Sequence, residues 1–493
     1  MGRIPAGRLI LVLVATACST IGWREARAQE PPPDGLAAVV AADRALDAVA
    51  EEAGARLWPG YRPDTIPVAF TFPDAGTILA NWPEERPPEG YARLSGAPGL
   101  AWRPAGEDAT TANTAMVRGG RDWAFVRAAG LDAVELLGIA AHEAFHAWQA
   151  AARRAGRYRP GENSFLVMEY PEFDAPNETA IALEGRLLAA SLAADDPEER
   201  RESVHRFLAV REMRHRRLGP EIAAFETATE LNEGVAQYVQ LKATELAAAS
   251  TGLVSAAEAE AAVEAELDRL GGELVTETEH SLRRRFYTTG AAMAYLLDEI
   301  AGPDWKEDLA GSRLALHDVL AEASGYRARE AALVRSAREE RGEGLESLAE
   351  TTLAERREDR RARAREALSG PGLVVELAVE GAGLCGIDPQ NLLQIDHRRV
   401  LHARILNLCL PGDGQALFRT PAVQDREGHT VTAVVGPEES VEIRAGGEEI
   451  PLEDLGRVED AEGVEIDAEA FRLRAPRATL ERGEGRLRVE IGG

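Results

Sequence analysis

The chain has 493 residues, 83 of them acidic and 56 basic, for a formal net charge of −27. That balance argues against a nucleic-acid partner and against docking on anionic lipid, both of which call for clustered positive charge. The length allows two or three domains, and beyond the first 28 residues no segment stays apolar for the ~18 residues that a membrane span needs.

Arg3 and Arg8 precede an apolar run from Leu9 to Ala17, and Ala26-Arg27-Ala28 offers an A-x-A cleavage site before Gln29. This is the order of a secretory signal peptide over 1–28. It predicts an exported protein, periplasmic or extracellular, with no membrane span. Cys18 offers a lipid anchor as the alternative, weakened by Ala15 where a lipobox carries a large aliphatic residue. Residues 29–130 open with a proline-rich lead, Gln29–Asp34, and a helical pattern over Gly35–Arg56. Tyr61–Ala128 then changes to short strands broken by Pro and Gly, among them Ile66–Phe72, Thr114–Val117 and Asp122–Arg127.

Residues 131–345 read as helix almost throughout. Leu131–Arg154 is rich in Ala and Leu, has Gly138 as its one weak residue, and ends on Arg153 and Arg154, where a helix dipole favours positive charge. It contains His142-Glu143-Ala144-Phe145-His146. Residues four apart share a helix face, so both imidazoles can grip one metal ion while Glu143 stands beside them as a base for an attacking water. With nine histidines in the chain, chance pairing at this spacing beside a glutamate is a poor alternative to the metal reading.

A catalytic zinc usually takes three protein ligands, and two later segments compete to supply the third. Glu230–Tyr238 offers Glu233, followed by Gly234 and Ala236, small enough for close packing. Asn177–Gly185 offers Glu184, followed by Gly185, with Glu178 behind it. The small neighbours allow either Glu233 or Glu184 to reach inward, and both stay open as the third ligand. The structural alternative for each is a salt bridge to arginines such as Arg186, Arg211 or Arg214. Glu230 and Gln237, one turn either side of Glu233, are candidates to hold the imidazoles in one tautomer. Tyr287, ahead of an amphipathic helix over Gly290–Ile300, is a phenol able to donate to a developing oxyanion. His280 and Arg283 to Arg285 are weaker candidates for the same work.

Residues 346–372 form a charged helical linker. The stretch Glu339–Arg365 mixes both signs and reads as a solvated helix laced with i,i+4 pairs. Gly370-Pro371-Gly372 closes the linker. From 373 to 493 the texture alternates, as in Leu373–Val379, Val400–Leu410 and Thr430–Val435, which predicts a small β domain of sandwich type. It brings no catalytic cluster; His397 and His402 read as surface histidines. Cleavage at Ala28 leaves Cys385 and Cys409, an even pair in an exported chain, and a disulfide is favoured over two separate thiols.

Three of these segments resemble one family. His142–His146, Glu233-Gly234-Val235-Ala236-Gln237-Tyr238 and Tyr287-Thr288-Thr289-Gly290 look like the HExxH, E-G-x-A-x-Y and Y-x-K-G motifs of gluzincin metallopeptidases, the clan that includes thermolysin and aminopeptidase N. Thr289 stands where relatives carry lysine, and 87 residues separate His146 from Glu233, more than in thermolysin-like enzymes. The resemblance implies an α+β fold: a mainly helical zincin-like catalytic domain with a small N-terminal mixed sheet, then the C-terminal β domain. It implies Zn2+ held by His142, His146 and Glu233, with Glu143 as general base and Tyr287 as oxyanion donor. It also implies that a strand within 114–127 pairs with the substrate backbone. Thr114–Arg118 lacks the glutamate with which aminopeptidases hold a substrate amine. The expectation is therefore a secreted zinc endopeptidase acting on peptides or proteins. The alternatives are an inactive, scaffold-like relative and a zinc hydrolase of a non-peptide amide or cell-wall substrate.

Overall fold

The computed structural model describes residue 31 and residues 33–106, 112–158, 161–271, 282–311, 314–327, 330–386 and 391–492. The leader 1–28, Cys18 and His280 lie outside the described residues. The fold is α+β. Helix α1 (Pro33–Leu57) leads into six strands: β1 (Val68–Phe72), β2 (Gly76–Ala80), β3 (Ala92–Leu94), β4 (Ala97–Pro104), β5 (Thr114–Arg118) and β6 (Arg121–Arg127). They form one sheet in the order β3-β4-β2-β1-β6-β5. It is mixed, because β1 and β6 run parallel while the other pairs are antiparallel. Strand β5 lies at one edge, with Met116 and Val117 exposed.

The inner face of this sheet (Val68, Phe70, Ala124, Val126) packs into a helical core. That core is built on α2 (Ala133–Arg154), α3 (Ala175–Ala193), α4 (Pro197–Leu218), α5 (Pro220–Thr229), α6 (Val235–Ser250), α7 (Ala256–Leu267) and α8 (Arg284–Ala301). Four further helices follow: α9 (Trp305–Gly311), α10 (Leu316–Ser324), α11 (Glu330–Arg341) and α12 (Leu345–Ser369). Helix α2 begins at a capping box that the Ala/Leu pattern does not reveal. Asp132 accepts from the Val134 and Glu135 amides, and the Glu135 carboxylate accepts from Asp132 N at 2.9 Å. Such a cap contributes about 1 kcal/mol and fixes where the helix starts. Helices α5 and α6 are one continuous rod interrupted by a π-turn over Glu230–Gly234.

Helix α12 departs from a solvated linker. Its Arg356 and Arg360 are fully buried, Arg356 against Glu178 and Arg360 against Glu172 and the Gln394 carbonyl. A sequence shows the charges but not the partners, which lie more than 180 residues upstream for one of the two contacts and on a different element for both.

Beyond α12 come β7 (Leu373–Ala378), β8 (Gly383–Gly386), β9 (Leu392–Gln394), β10 (Arg399–His402), β11 (Leu406–Leu410), β12 (Gly414–Phe418), β13 (Ala422–Asp425), β14 (Thr430–Val435), β15 (Glu442–Ala445), β16 (Glu448–Glu449), β17 (Arg457–Asp467), β18 (Phe471–Gly483) and β19 (Arg486–Ile491). Their hydrogen bonding is continuous, so the two layers of a sandwich are here one curled sheet enclosing its own core. A Cys385–Cys409 disulfide ties β8 to β11. No described helix is long and apolar enough to cross a membrane.

One contact sets the position of the π-turn. A Cβ on Gly234 would sit 2.5 Å from Gly290 Cα and 2.8 Å from the Phe286 carbonyl; one on Gly290 would sit 2.7 Å from Gly234 Cα and 2.8 Å from the Glu230 carbonyl. Helix α8 thus crosses the turn backbone to backbone. Gly290→Ala is expected to lower stability by about 1–3 kcal/mol, the usual cost of overpacking, read as a drop in the denaturant midpoint. Gly138→Ala is the control. Its new Cβ meets the flexible Gln240 side chain at 3.2 Å, and the gain in helix propensity of about 0.5–1 kcal/mol offsets the crowding.

Candidate metal centre

Helix α2 is buried along the face that carries Ala140, Ala141, Ala144 and Phe145. This apolar packing fixes the rod and turns His142 and His146 toward the α5–α6 rod. Glu233, in the π-turn, meets them. Its Oε2 lies 3.0 Å from His146 Nε2 and 3.6 Å from His142 Nε2, and the two Nε2 atoms are 3.1 Å apart. Four donors set tetrahedrally at 2.0–2.2 Å around one ion lie roughly 3.3–3.6 Å from each other. The three protein atoms approximate one face of such a shell, and the group can hold a metal ion.

Tautomer geometry agrees. His146 Nδ1 lies 2.9 Å from Gln149 Oε1, an acceptor, so Nδ1 carries a proton and Nε2 is the ring atom that faces Glu233 and His142. Gln149 is anchored in turn, donating to the Leu231 and Asn232 carbonyls. His142 Nδ1 is buried without a hydrogen-bond partner among the described residues. Without an ion Glu233 holds His146 protonated; once that proton is released, both imidazoles and the carboxylate can turn lone pairs to one cation.

The electrostatics point the same way. Glu143, Glu162 and Glu233 bring three carboxylates together with side chains nearly or wholly buried, and Arg283 bonds to two of them. The site therefore attracts positive charge. Burial lifts the Glu143 carboxyl to about 7, with the Glu233 charge adding to it and His146 opposing. Burial pushes His146 down, but the charge and hydrogen bond of Glu233 outweigh this and carry it up to about 9. Burial holds His142 down at about 4. For Glu233 burial acts upward, yet His146 and Arg283 keep it well below the usual carboxylate range.

Tyr287, on α8, is buried beside the pair. Its ring is stacked on His142 with centroids 5.9 Å apart, and its hydroxyl accepts from Arg283 at 3.1 Å. Burial, then the Glu233 charge, lifts the phenol well above its ordinary range, so it stays protonated and able to donate.

The other two acids are elsewhere. Both oxygens of Glu184 are taken by Arg211 and Arg214, and Glu178 is paired with Arg285 and Arg356. Glu184 is therefore held in a buried ion pair and stands outside the group formed by His142, His146 and Glu233. Glu230 holds Arg211 and Thr289 and does not serve the imidazoles. Gln149 does that work for His146. Its signal was available, since it lies three residues beyond His146 and seven beyond His142 on one helix face. Glu162 lies in irregular chain and carried no periodic signal.

No family model matches the chain, and comparison with curated proteins and with solved structures likewise yields no match, so the site stands on its own geometry.

Glu233→Ala is expected to abolish divalent metal content, measured by elemental analysis of purified protein. Glu184→Gln is expected to keep it while losing stability, because Arg211 and Arg214 each lose a buried charged partner and retain Glu230 and Glu226 respectively. A second expectation concerns protons. Ligation needs neutral His146, which is protonated below about 9, so metal uptake near pH 7 releases about one proton. Affinity then rises with pH and levels above about 9, as titration calorimetry in buffers of different ionisation enthalpy reads directly.

Proposed function

We propose that the chain is an exported zinc-dependent peptidase of gluzincin type, acting as an endopeptidase. One observation carries the reading: His142, His146 and Glu233 converge on a common point while Glu143, their neighbour on α2, lies buried beside them without being part of the donor triangle. Two imidazoles and one carboxylate suit Zn2+ and leave a coordination position open for water or substrate. When bound, the ion supplies Lewis acidity and brings the pKa of water to about 7.

The chain's own groups account for the remaining steps. Glu143 takes the proton of the attacking water and returns it to the leaving amine, and burial favours this by raising its basicity. Tyr287, held protonated, donates to the oxygen on which negative charge develops. A peptide substrate is supported by β5, which packs beside α2 and offers an edge to an extended backbone. The export reading rests on the leader over 1–28 and on the Cys385–Cys409 bond, the usual product of an oxidising compartment.

Glu143→Gln is expected to retain zinc and lose about 10²–10⁴-fold in peptide cleavage. Tyr287→Phe is expected to lose about 10²–10³-fold in kcat with little change in KM. A mixed peptide library read by mass spectrometry, beside metal analysis of each protein, tests both. Wild-type protein that holds zinc and cuts no peptide would remove the peptidase reading and leave a non-peptide amide hydrolase or a binding protein.

A further inference from the structure

We propose that Arg283 is a positioning residue for the metal centre, one that selects which oxygen of Glu233 faces the imidazoles and is itself locked by Glu162. The inference rests on reading His142, His146 and Glu233 as a cation site.

Glu233 divides its two oxygens. Oε1 accepts from Arg283 Nη2 at 2.6 Å and from Asn232 Nδ2 at 2.9 Å. Oε2 lies against His146 and His142. Four other buried glutamates of the helical core are used differently. Glu178, Glu184, Glu226 and Glu230 each have both oxygens on donors from arginine, histidine, tyrosine or threonine. Those are closed ion pairs. Glu233 is a half-closed one, with a single oxygen turned to the place where a cation sits.

The guanidinium suits this role because its donors are rigid and planar. Arg283 Nε donates to Glu162 Oε1 at 2.8 Å, Nη2 reaches both Glu162 and Glu233, and Nη1 donates to the Tyr287 hydroxyl at 3.1 Å. One flat group thus touches side chains from three separate segments: the chain before Ser164, the π-turn and α8. Pinned on two sides, it cannot swing to let Glu233 rotate and offer both oxygens. Its contact with the Tyr287 oxygen also occupies a lone pair there, which sets the direction in which the phenol proton points. Asn232 is secured on its far side by Arg153, so the second donor to Oε1 is fixed as well. A lysine carries the same charge but has no planar fork, and cannot hold three partners in one orientation.

The test uses the full-length chain and four variants: Arg283→Gln, Arg283→Lys, Glu162→Gln and, as a control, Arg356→Gln, which removes a buried arginine of a closed pair away from the centre. Zn2+ affinity is measured by competition with a chromophoric chelator. The Co2+-loaded proteins give visible absorption spectra that report coordination number and symmetry, and circular dichroism reports folding. Arg283→Gln and Arg283→Lys are expected to bind Zn2+ roughly 10- to 100-fold more weakly, the usual effect of losing an outer partner of a ligand. Their Co2+ bands are expected to shift as Glu233 gains freedom to bind through two oxygens. Glu162→Gln should shift both readouts the same way by less, and it carries the test together with Arg283→Lys if Arg283→Gln does not fold. Arg356→Gln should lose stability with its Co2+ spectrum unchanged. Folded Arg283 and Glu162 variants with wild-type Zn2+ affinity and wild-type Co2+ bands would overturn the proposal and reduce Arg283 to a structural ion pair. Wild-type protein that takes up neither Zn2+ nor Co2+ would overturn the metal-centre reading itself, and this proposal with it.

Discussion

The structure depends on keeping a carboxylate, Glu233, buried and aimed at two imidazoles. A buried carboxylate is costly unless charge and hydrogen bonds compensate it. Here the compensation is distributed: Arg283 and Asn232 hold one oxygen, the imidazoles face the other, and the Glu233 charge carries His146 upward against burial. The same need governs the helices around it. Glu226, Glu230 and Glu233 stand on one rod and each points into the core, the first to Arg214, the second to Arg211, the third to the centre. The rod is a ladder of buried acids of which only the last rung is left partly open.

The π-turn is what allows the last two rungs to differ. It widens the helix over Glu230–Gly234, and such bulges recur at functional sites because they re-aim side chains without ending the helix. Glu230 keeps the direction of the ion-pair ladder toward α4, while Glu233 swings toward α2. Gly234 then has to meet Gly290 at backbone distance. The small residues after Glu233 are therefore part of the ligand's geometry, because a bulkier neighbour would push the turn away from α8 and from Arg283, the residue preceding it.

Much of the site was legible because local chemistry dictated it. His142, Glu143 and His146 follow from a four-residue spacing on a helix whose apolar face is plain in the sequence, whereas the small residues behind Glu233 make it a candidate and only the resemblance to E-G-x-A-x-Y puts it ahead. Glu184 looked equivalent by the same local criteria, a glutamate followed by glycine. What separated the two was the position of Arg211 and Arg214 on α4, a tertiary fact with no local signal. The charged helix α12 shows the same limit. Its arginines alternate with acids as on a solvated face, yet Arg356 and Arg360 point inward to Glu178 and Glu172. For the C-terminal strands, alternation gave the elements but not the pairing. Closure through the parallel β7–β19 contact joins strands more than a hundred residues apart.

The C-terminal sheet bears on the centre through a continuous set of contacts. Its β9–β10 edge enters the helical unit, where Leu392 and Val400 pack with Val167, Tyr170, Phe225 and Phe286. Gln394 donates to the Val167 and Tyr170 carbonyls, and Arg426 donates to that of Met168. These bonds fix the short helical turn Ser164–Met168, whose first residue donates to Glu162 at 2.8 Å. Glu162 in turn grips Arg283, and Arg283 grips Glu233. Each contact couples its neighbours because every group in the series is buried or hydrogen-bonded on both sides, so displacing one leaves an unpaired polar atom in the next. Among the described residues the sheet supplies none of His142, His146 and Glu233, but it holds the wall against which the Glu233 carboxylate is set, which makes it a structural support of the group.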